Sequence, residues 1–322
     1  MQRLLPTTAR WIALAAVLSM AIGFAATPAG AVWSGTDGKL VFFKTDFSSE
    51  QPFAQIYSMN RPGNGEKNLT AKGGSAEDVD IQPSVSPDGK VIAFASLDIA
   101  TGSAQVWTMA FEGLQRTDIS NDADVASESG PAWSADGTRL LFVKQPPGSF
   151  PGDQGGGPGT AGGSIWIRNA DGSGTPQQLT AGPNDANPAM SNDGTRIAFS
   201  RPVAGQRHLF IMNADGTGTP TDLGPGSKPD WSPDDSHIAY GQGGSGPIMI
   251  VNVASPSDKQ TLGTFGQEAP VWSPDGEQLA FVDCTGEDTC QIATMNTDGS
   301  NVRDLTNDTQ LSSQKVDWQS HA

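Results

Sequence analysis

Cysteine, histidine and tyrosine are scarce in this chain: its 322 residues carry two, three and two of them. Two cysteines cannot build a disulfide-dense scaffold, and three scattered histidines (His208, His237 and His321) give no zinc-type ligand set. No Ser-His-Asp arrangement and no phosphate-cradling glycine loop is present. Basic residues are also short, with 19 Lys and Arg against 35 Asp and Glu, a formal net charge of −16 and an isoelectric point near 4.4. Such a surface repels nucleic-acid phosphates and anionic membranes, so nucleic acid is excluded as a partner. The charge suits solubility outside the cell or recognition of a basic partner.

Long apolar runs are missing but for one, Trp11 to Phe24, which is too short to span a bilayer comfortably. Arg3 and Arg10 precede it and Ala29-Gly30-Ala31 follows it. Residues 1–31 therefore read as a cleavable secretory signal with a mature start at Val32. No cysteine follows the apolar core, so a lipid anchor is not supported. The expectation is a secreted or periplasmic monomer with no membrane insertion after cleavage.

What is present is a repeated phrase. Trp272-Ser273-Pro274-Asp275-Gly276 recurs, degraded, as Val85-Ser86-Pro87-Asp88-Gly89, Trp133-Ser134-Ala135-Asp136-Gly137, Met190-Ser191-Asn192-Asp193-Gly194 and Trp231-Ser232-Pro233-Asp234-Asp235. An irregular first copy runs from Trp33 to Gly38, and Trp318-Gln319-Ser320 is a last, truncated one. This is turn chemistry: Pro presets φ, Asp bonds the backbone beyond it, and Gly accepts a positive φ. The pattern lacks the 12-residue ligand spacing and terminal Glu of an EF-hand, so these turns are structural.

Each turn is followed by a short apolar run, such as Val91-Ile92-Ala93-Phe94 or Leu279-Ala280-Phe281-Val282. Runs of this length are too short for helices, and their near-continuous apolarity says that both faces are covered. A second run follows, as in Ile292-Ala293-Thr294-Met295-Asn296, then a polar turn such as Ala214-Asp215-Gly216-Thr217, then a short third strand such as Asn68-Leu69-Thr70, Gln178-Leu179-Thr180 or Asp304-Leu305-Thr306. Residues leading into the next Trp make a fourth. Six such units predict an all-β, six-bladed β-propeller of four-stranded antiparallel blades filling residues 32–322. Val316-Asp317-Trp318 has no blade of its own to begin. It should close the ring as the innermost strand of blade one, beside residues 40–43.

Cys284 and Cys290 flank a five-residue loop between two strands of blade six, and an exported chain meets oxidising conditions, so a disulfide is expected. Gln145 to Ser164 is a Pro- and Gly-rich insertion in blade three. Acidic residues gather after the outermost strands: Glu77, Asp78 and Asp80 after blade one, and Asp122, Asp124 and Glu128 after blade two. Loops of this kind share one face of a propeller, so the two clusters would be neighbours on a rim able to hold a basic group or a cation. Calcium is the metal that such irregular, all-oxygen ligands would suit.

The combination Pro-x-Trp-Ser-Pro-Asp-Gly, Ile-Ala-Phe, Ile-x-x-Met-Asn-x-Asp-Gly and Leu-Thr resembles the propeller repeats of the TolB family, the WD40-like or PD40 repeat. The best copies are Pro270 to Phe281, Ile211 to Gly216 and Ile292 to Gly299. The α/β domain that precedes the propeller in TolB has no room between residue 32 and the first blade. The hydrolase domain that accompanies such propellers in prolyl oligopeptidase-type peptidases is likewise missing. The resemblance therefore implies a stand-alone propeller acting as a non-catalytic module for a protein or small-molecule ligand. The alternatives are a propeller lyase or hydrolase with its site at the channel mouth, and a calcium-dependent surface or structural protein.

Overall fold

The structure is a computed structural model, and it describes residues 36–46, 53–71, 78–98, 101–120, 126–146, 163–243, 246–286, 289–307 and 311–321. The signal-peptide expectation over residues 1–31, the first turn copy at Trp33 and most of the Gln145–Ser164 insertion lie outside them. Blade one supplies β1 (Thr36–Asp46), β2 (Phe53–Asn60) and β3 (Asn64–Asn68). Blade two is β4 (Asp78–Val85), β5 (Val91–Asp98), β6 (Ser103–Ala110) and β7 (Thr117–Asp118). Blade three is β8 (Ser127–Trp133), β9 (Arg139–Gln145), β10 (Ser164–Asn169) and β11 (Gln177–Gln178). Blade four is β12 (Ala186–Met190), β13 (Arg196–Val203), β14 (Gln206–Asn213) and β15 (Thr221–Pro225). Blade five is β16 (Ser227–Trp231), β17 (His237–Gly241), β18 (Ile248–Asn252) and β19 (Lys259–Thr261). Blade six is β20 (Gln267–Trp272), β21 (Gln278–Asp283), β22 (Gln291–Asn296) and β23 (Arg303–Asp304), and β24 (Leu311–His321) follows it.

Each blade is a four-stranded antiparallel meander, and blade one takes β24 as its inner strand in the order β24-β1-β2-β3. Leu40 pairs with Trp318, Val41 with Asp317 and Phe42 with Val316, as the closure expectation required. The described residues contain no helix.

The apolar runs are buried on both faces because every blade is covered on both sides. In blade one, Leu40 and Phe42 pack toward blade six while Val41 and Phe43 pack toward blade two. The Ile-Ala-Phe motif has the same division of labour. Ile197 and Phe199 face blade three, and Ala198 faces blade five. The core is thus split among six seams. Phe42, Phe94, Phe142, Phe199, Phe281 and Tyr240 occupy equivalent places and are almost fully buried, each side chain contributing roughly 1.5–3 kcal/mol.

The remaining motifs stitch the seams. In the Ser-Pro-Asp-Gly turn, Ser273 Oγ donates to Asp275 Oδ1 at 2.6 Å and accepts the Gln278 N–H at 2.9 Å. The Trp133, Trp231 and Trp318 indoles each donate to an inner-strand carbonyl of the preceding blade: Ser84, Ala189 and Val271. The glycine after the third strand wedges against the preceding blade. A Cβ on Gly63 would lie 2.8 Å from the Leu305 carbonyl oxygen, and one on Gly299 would lie 2.9 Å from that of Leu262.

One expectation shifts in detail. The sequence predicts outer strands that include Leu69, Leu179 and Leu305, but the ladders of β3, β11 and β23 end just before these residues, as those of β7 and β19 end just before Ile119 and Leu262. They turn into the seam to receive the next blade's glycine turn. The Thr or Ser that follows caps the blade instead: Thr70, Ser120, Thr180 and Thr306 hydroxyls accept the N–H of Ile56, Val106, Ile165 and Ile292.

Candidate functional site

Strand direction sorts the connections onto two faces. The Ser-Pro-Asp-Gly turns and the glycine turns share one, the turn face. The connections from second to third strand and from blade to blade share the other, the loop face. Each inner strand is broken by a β-bulge, and the residue at the bulge has positive φ: Gln82, Gly130, Asn187, Lys228, Ala269 and Lys315. In five blades a Pro follows. Pro is tolerated there because the strand's other edge is unpaired at the channel.

Two residues before the bulge, toward the loop face, blades two, three and four each carry a buried carboxylate: Asp80, Glu128 and Asp185. Each meets an arginine. Arg116 binds Asp80 through two bonds of 2.9 Å. Arg201 binds Asp185 at 2.6 and 2.8 Å. Arg168 Nη2 donates to Glu128 Oε1 at 2.8 Å, and the Ser120 hydroxyl donates to Oε2 at 2.7 Å. Arg168 also donates to the carbonyls of Ile119 and Ser120. The guanidiniums lie over their own blades' core rings, Arg116 at 5.0 Å from Phe94, Arg168 at 4.6 Å from Phe142 and Arg201 at 5.2 Å from Phe199. Removing one partner of such a pair leaves a buried charge, at a cost of about 3–5 kcal/mol.

The acidic residues singled out from sequence are therefore of two kinds. Asp80 and Glu128 belong to β4 and β8 rather than to loops, and both are buried against arginine. Asp78 pairs through its backbone with Asp98 in the β4–β5 ladder. Glu77, Asp122 and Asp124 lie outside the described residues. Among the described residues, no group of three or more His, Cys, Asp or Glu could hold a metal ion. Sequence reasoning missed Asp185 and all three arginines. The spacing from carboxylate to bulge could have found the first, but the arginines come from three different places in the blade.

Closer to the turn face, Lys228 and Lys315 stand at bulges, and Asp230 and Asp317 follow two residues later. Asp230 Oδ2 accepts the Trp272 N–H at 2.7 Å. Burial, with the charge of Asp317, pushes the Asp230 carboxyl up to about 7 despite that bond. Burial likewise raises Asp317 and lowers Lys315. Lys228 is paired with Glu268 at 2.9 Å.

The Cys284–Cys290 disulfide forms, with Cα atoms 4.2 Å apart, on the loop face of blade six. His208 pairs with Asp222 at 2.9 Å. His237 Nδ1 lies 2.6 Å from Ser236 Oγ, but Asp234 bonds that serine and the backbone rather than orienting the imidazole. This is a turn network, not a triad geometry.

A family model described as the TolB beta propeller domain matches residues 18–220. No curated protein matches the chain. Among solved structures, TolB from Acinetobacter baumannii superposes with a TM-score of 0.69 at 18% identity, covering 88% of this chain and 66% of that one. Kuenenia stuttgartiensis hydrazine synthase gives 0.70 at 16% identity, over 89% and 47%. An oligogalacturonate lyase from Vibrio parahaemolyticus gives 0.52 at 13%, over 85% and 87%. At these identities the likeness is one of fold. The chain spans just under two thirds of the TolB chain and under half of the hydrazine synthase chain. No helix of the described residues is long and apolar enough to cross a membrane.

Proposed function

Because this chain belongs to the TolB β-propeller family, we propose that it acts outside the cytoplasm as a non-catalytic module that binds a basic protein or ligand on its loop face. The observation that carries this reading is the charge arrangement there. Asp80, Glu128 and Asp185 are neutralised by Arg116, Arg168 and Arg201, which also fix the ends of three adjacent inner strands. Glu77, Asp78, Asp122 and Asp124 stand within a few residues of Asp80 and Glu128 in the sequence, and in this reading their acid is additional to these pairs. A rigid base with acidic loops suits a cationic partner, recruited by a field that salt weakens. The disulfide supports an extracytoplasmic location.

The test is capture from an extracytoplasmic extract by the immobilised protein and by a variant carrying Glu77→Gln, Asp78→Asn, Asp122→Asn and Asp124→Asn. The reading expects a basic partner that elutes as salt rises and that the variant fails to hold. Equal capture by both proteins would remove the acidic loops from the site.

A further inference from the structure

The seam between blades six and one differs in charge from its neighbour. At the seam of blades one and two, Lys67 on the outer strand reaches the next blade's glycine turn. It donates to the Glu112 carboxylate at 2.7 Å and lies 3.5 Å from the Glu112 carbonyl. Arg303 is its counterpart in blade six, since it pairs with Thr294 as Lys67 pairs with Ser58. Arg303 keeps the contact to the turn carbonyl, that of Pro62, at 3.1 Å. The carboxylate is gone, because Pro62 stands where other turns have Glu112, Asp171, Asp215 and Asp298. No carboxylate among the described residues lies at ion-pair distance from Arg303.

A second cation joins it. Arg61 occupies the turn position filled elsewhere by Phe111, Ala170, Ala214 and Thr297. Its Nη2 donates to Gln278 Oε1 at 2.9 Å, and its Nη1 lies 3.7 Å from Asp275. Arg61 and Arg303 line a cleft of about 430 Å³ together with Gln278, Thr294, Asn296 and Asn301.

We propose that this cleft binds a small hydroxylated anion, a carboxylate or a phosphate. Guanidinium groups match both anions through paired N–H donors, and the amide and hydroxyl side chains supply partners for the hydroxyls. The volume falls in the range of small-molecule sites. The chain's overall negative charge is largely screened beyond about 8 Å at physiological ionic strength. Locally Asp275 offsets part of the Arg61 charge at 3.7 Å, and Arg303 supplies the cation that no carboxylate among the described residues answers. The cleft lies on the turn face, away from the acidic loops, so it does not depend on what the loop face binds. A ligand there touches blades six and one together, across the seam that β24 closes.

Isothermal titration at fixed ionic strength tests this, with citrate and inorganic phosphate as the probes. The expected result is one saturable site for at least one probe, and the preferred probe identifies the anion class. Arg303 is exposed, so Arg303→Gln should fold normally, and it should weaken binding about tenfold or more, the loss expected for a charged hydrogen bond. Lys67→Gln, at the sister seam, should leave binding unchanged. Absence of saturable binding by either probe, or equal affinity in Arg303→Gln, would overturn the assignment.

Discussion

Asp317 Oδ2 accepts the backbone N–H of Val85 at 2.8 Å, joining the last strand of the chain to the inner strand of blade two. The same strand reaches blade six through the Trp318 indole, and Gln319 Nε2 donates to the Gly89 carbonyl at 2.9 Å. β24 is therefore held by both neighbours as well as by β1. Trp318 is buried at this junction, so Trp318→Ala should cost about 3–5 kcal/mol and lower the melting temperature by roughly 10 °C. Deleting residues 311–322 should cost more. Calorimetry showing wild-type melting in either variant would contradict closure by this strand.

The glycine wedges make a sharper test of blade packing. Gly299 and Gly205 have nearly the same φ, 84° and 86°, but only Gly299 meets another blade. Gly205→Ala should cost about 1–2 kcal/mol, the backbone strain alone. Gly299→Ala carries the same strain and also drives a methyl toward the Leu262 carbonyl, so chemical denaturation should show a clearly larger loss. Equal losses would mean that the turn does not seat against blade five.

Asp230 predicts a pH dependence of stability. Its carboxyl sits near 7 when folded, against an ordinary value near 3.8. Between those values the folded state binds more protons, so this group's contribution falls as pH rises from about 4 to 7. Asp317, Lys315 and the N–H groups of Trp231 and Trp272 are the charged and polar groups that act on it. Asp136 works in the opposite sense. The Ser134 hydroxyl, against partial burial, holds its carboxyl below the ordinary range, so its contribution is lost only as pH falls below about 3.8. Asp230→Asn keeps an acceptor for Trp272 and removes the titration. Its melting temperature relative to wild type should increase as pH rises from about 4 to 7 and level off above that. A difference constant across that range would contradict the assignment.

Calcium offers a test of the acidic loops. With Asp80 and Glu128 engaged by arginine, we expect calcium and magnesium chlorides at equal ionic strength to shift melting equally, by screening. A specific site at a hundredfold excess over Kd would add about 2.7 kcal/mol. A calcium-specific rise abolished by Asp78→Asn with Asp122→Asn would make the loops a metal site.

The fold was legible because its signals are local. A Ser-Pro-Asp-Gly turn needs those residue types within four positions, and Ser273, Asp275 and Gln278 satisfy one another there. Both-face burial is likewise written in runs such as Leu279 to Val282. The Leu-Thr phrase resembles a strand because its apolar residue alternates with polar ones, whereas Leu305 serves the seam and Thr306 caps the blade. The candidate site was legible only in part. Acidity marked Asp80 and Glu128, but their partners lie 36 and 40 residues away and carry no periodic signal. The cleft at Arg61 and Arg303 joins residues more than two hundred positions apart, which only ring closure brings together.

Amide hydrogen exchange of the protein alone and with its captured partner measures the proposed function most directly. Binding to the loop face predicts slowed exchange over residues 70–80 and 120–128, with the Ser-Pro-Asp-Gly turns at 86–89, 134–137 and 273–276 unchanged. Protection confined to those turns, or no change in the two acidic segments, would contradict a partner docked on the acidic loops.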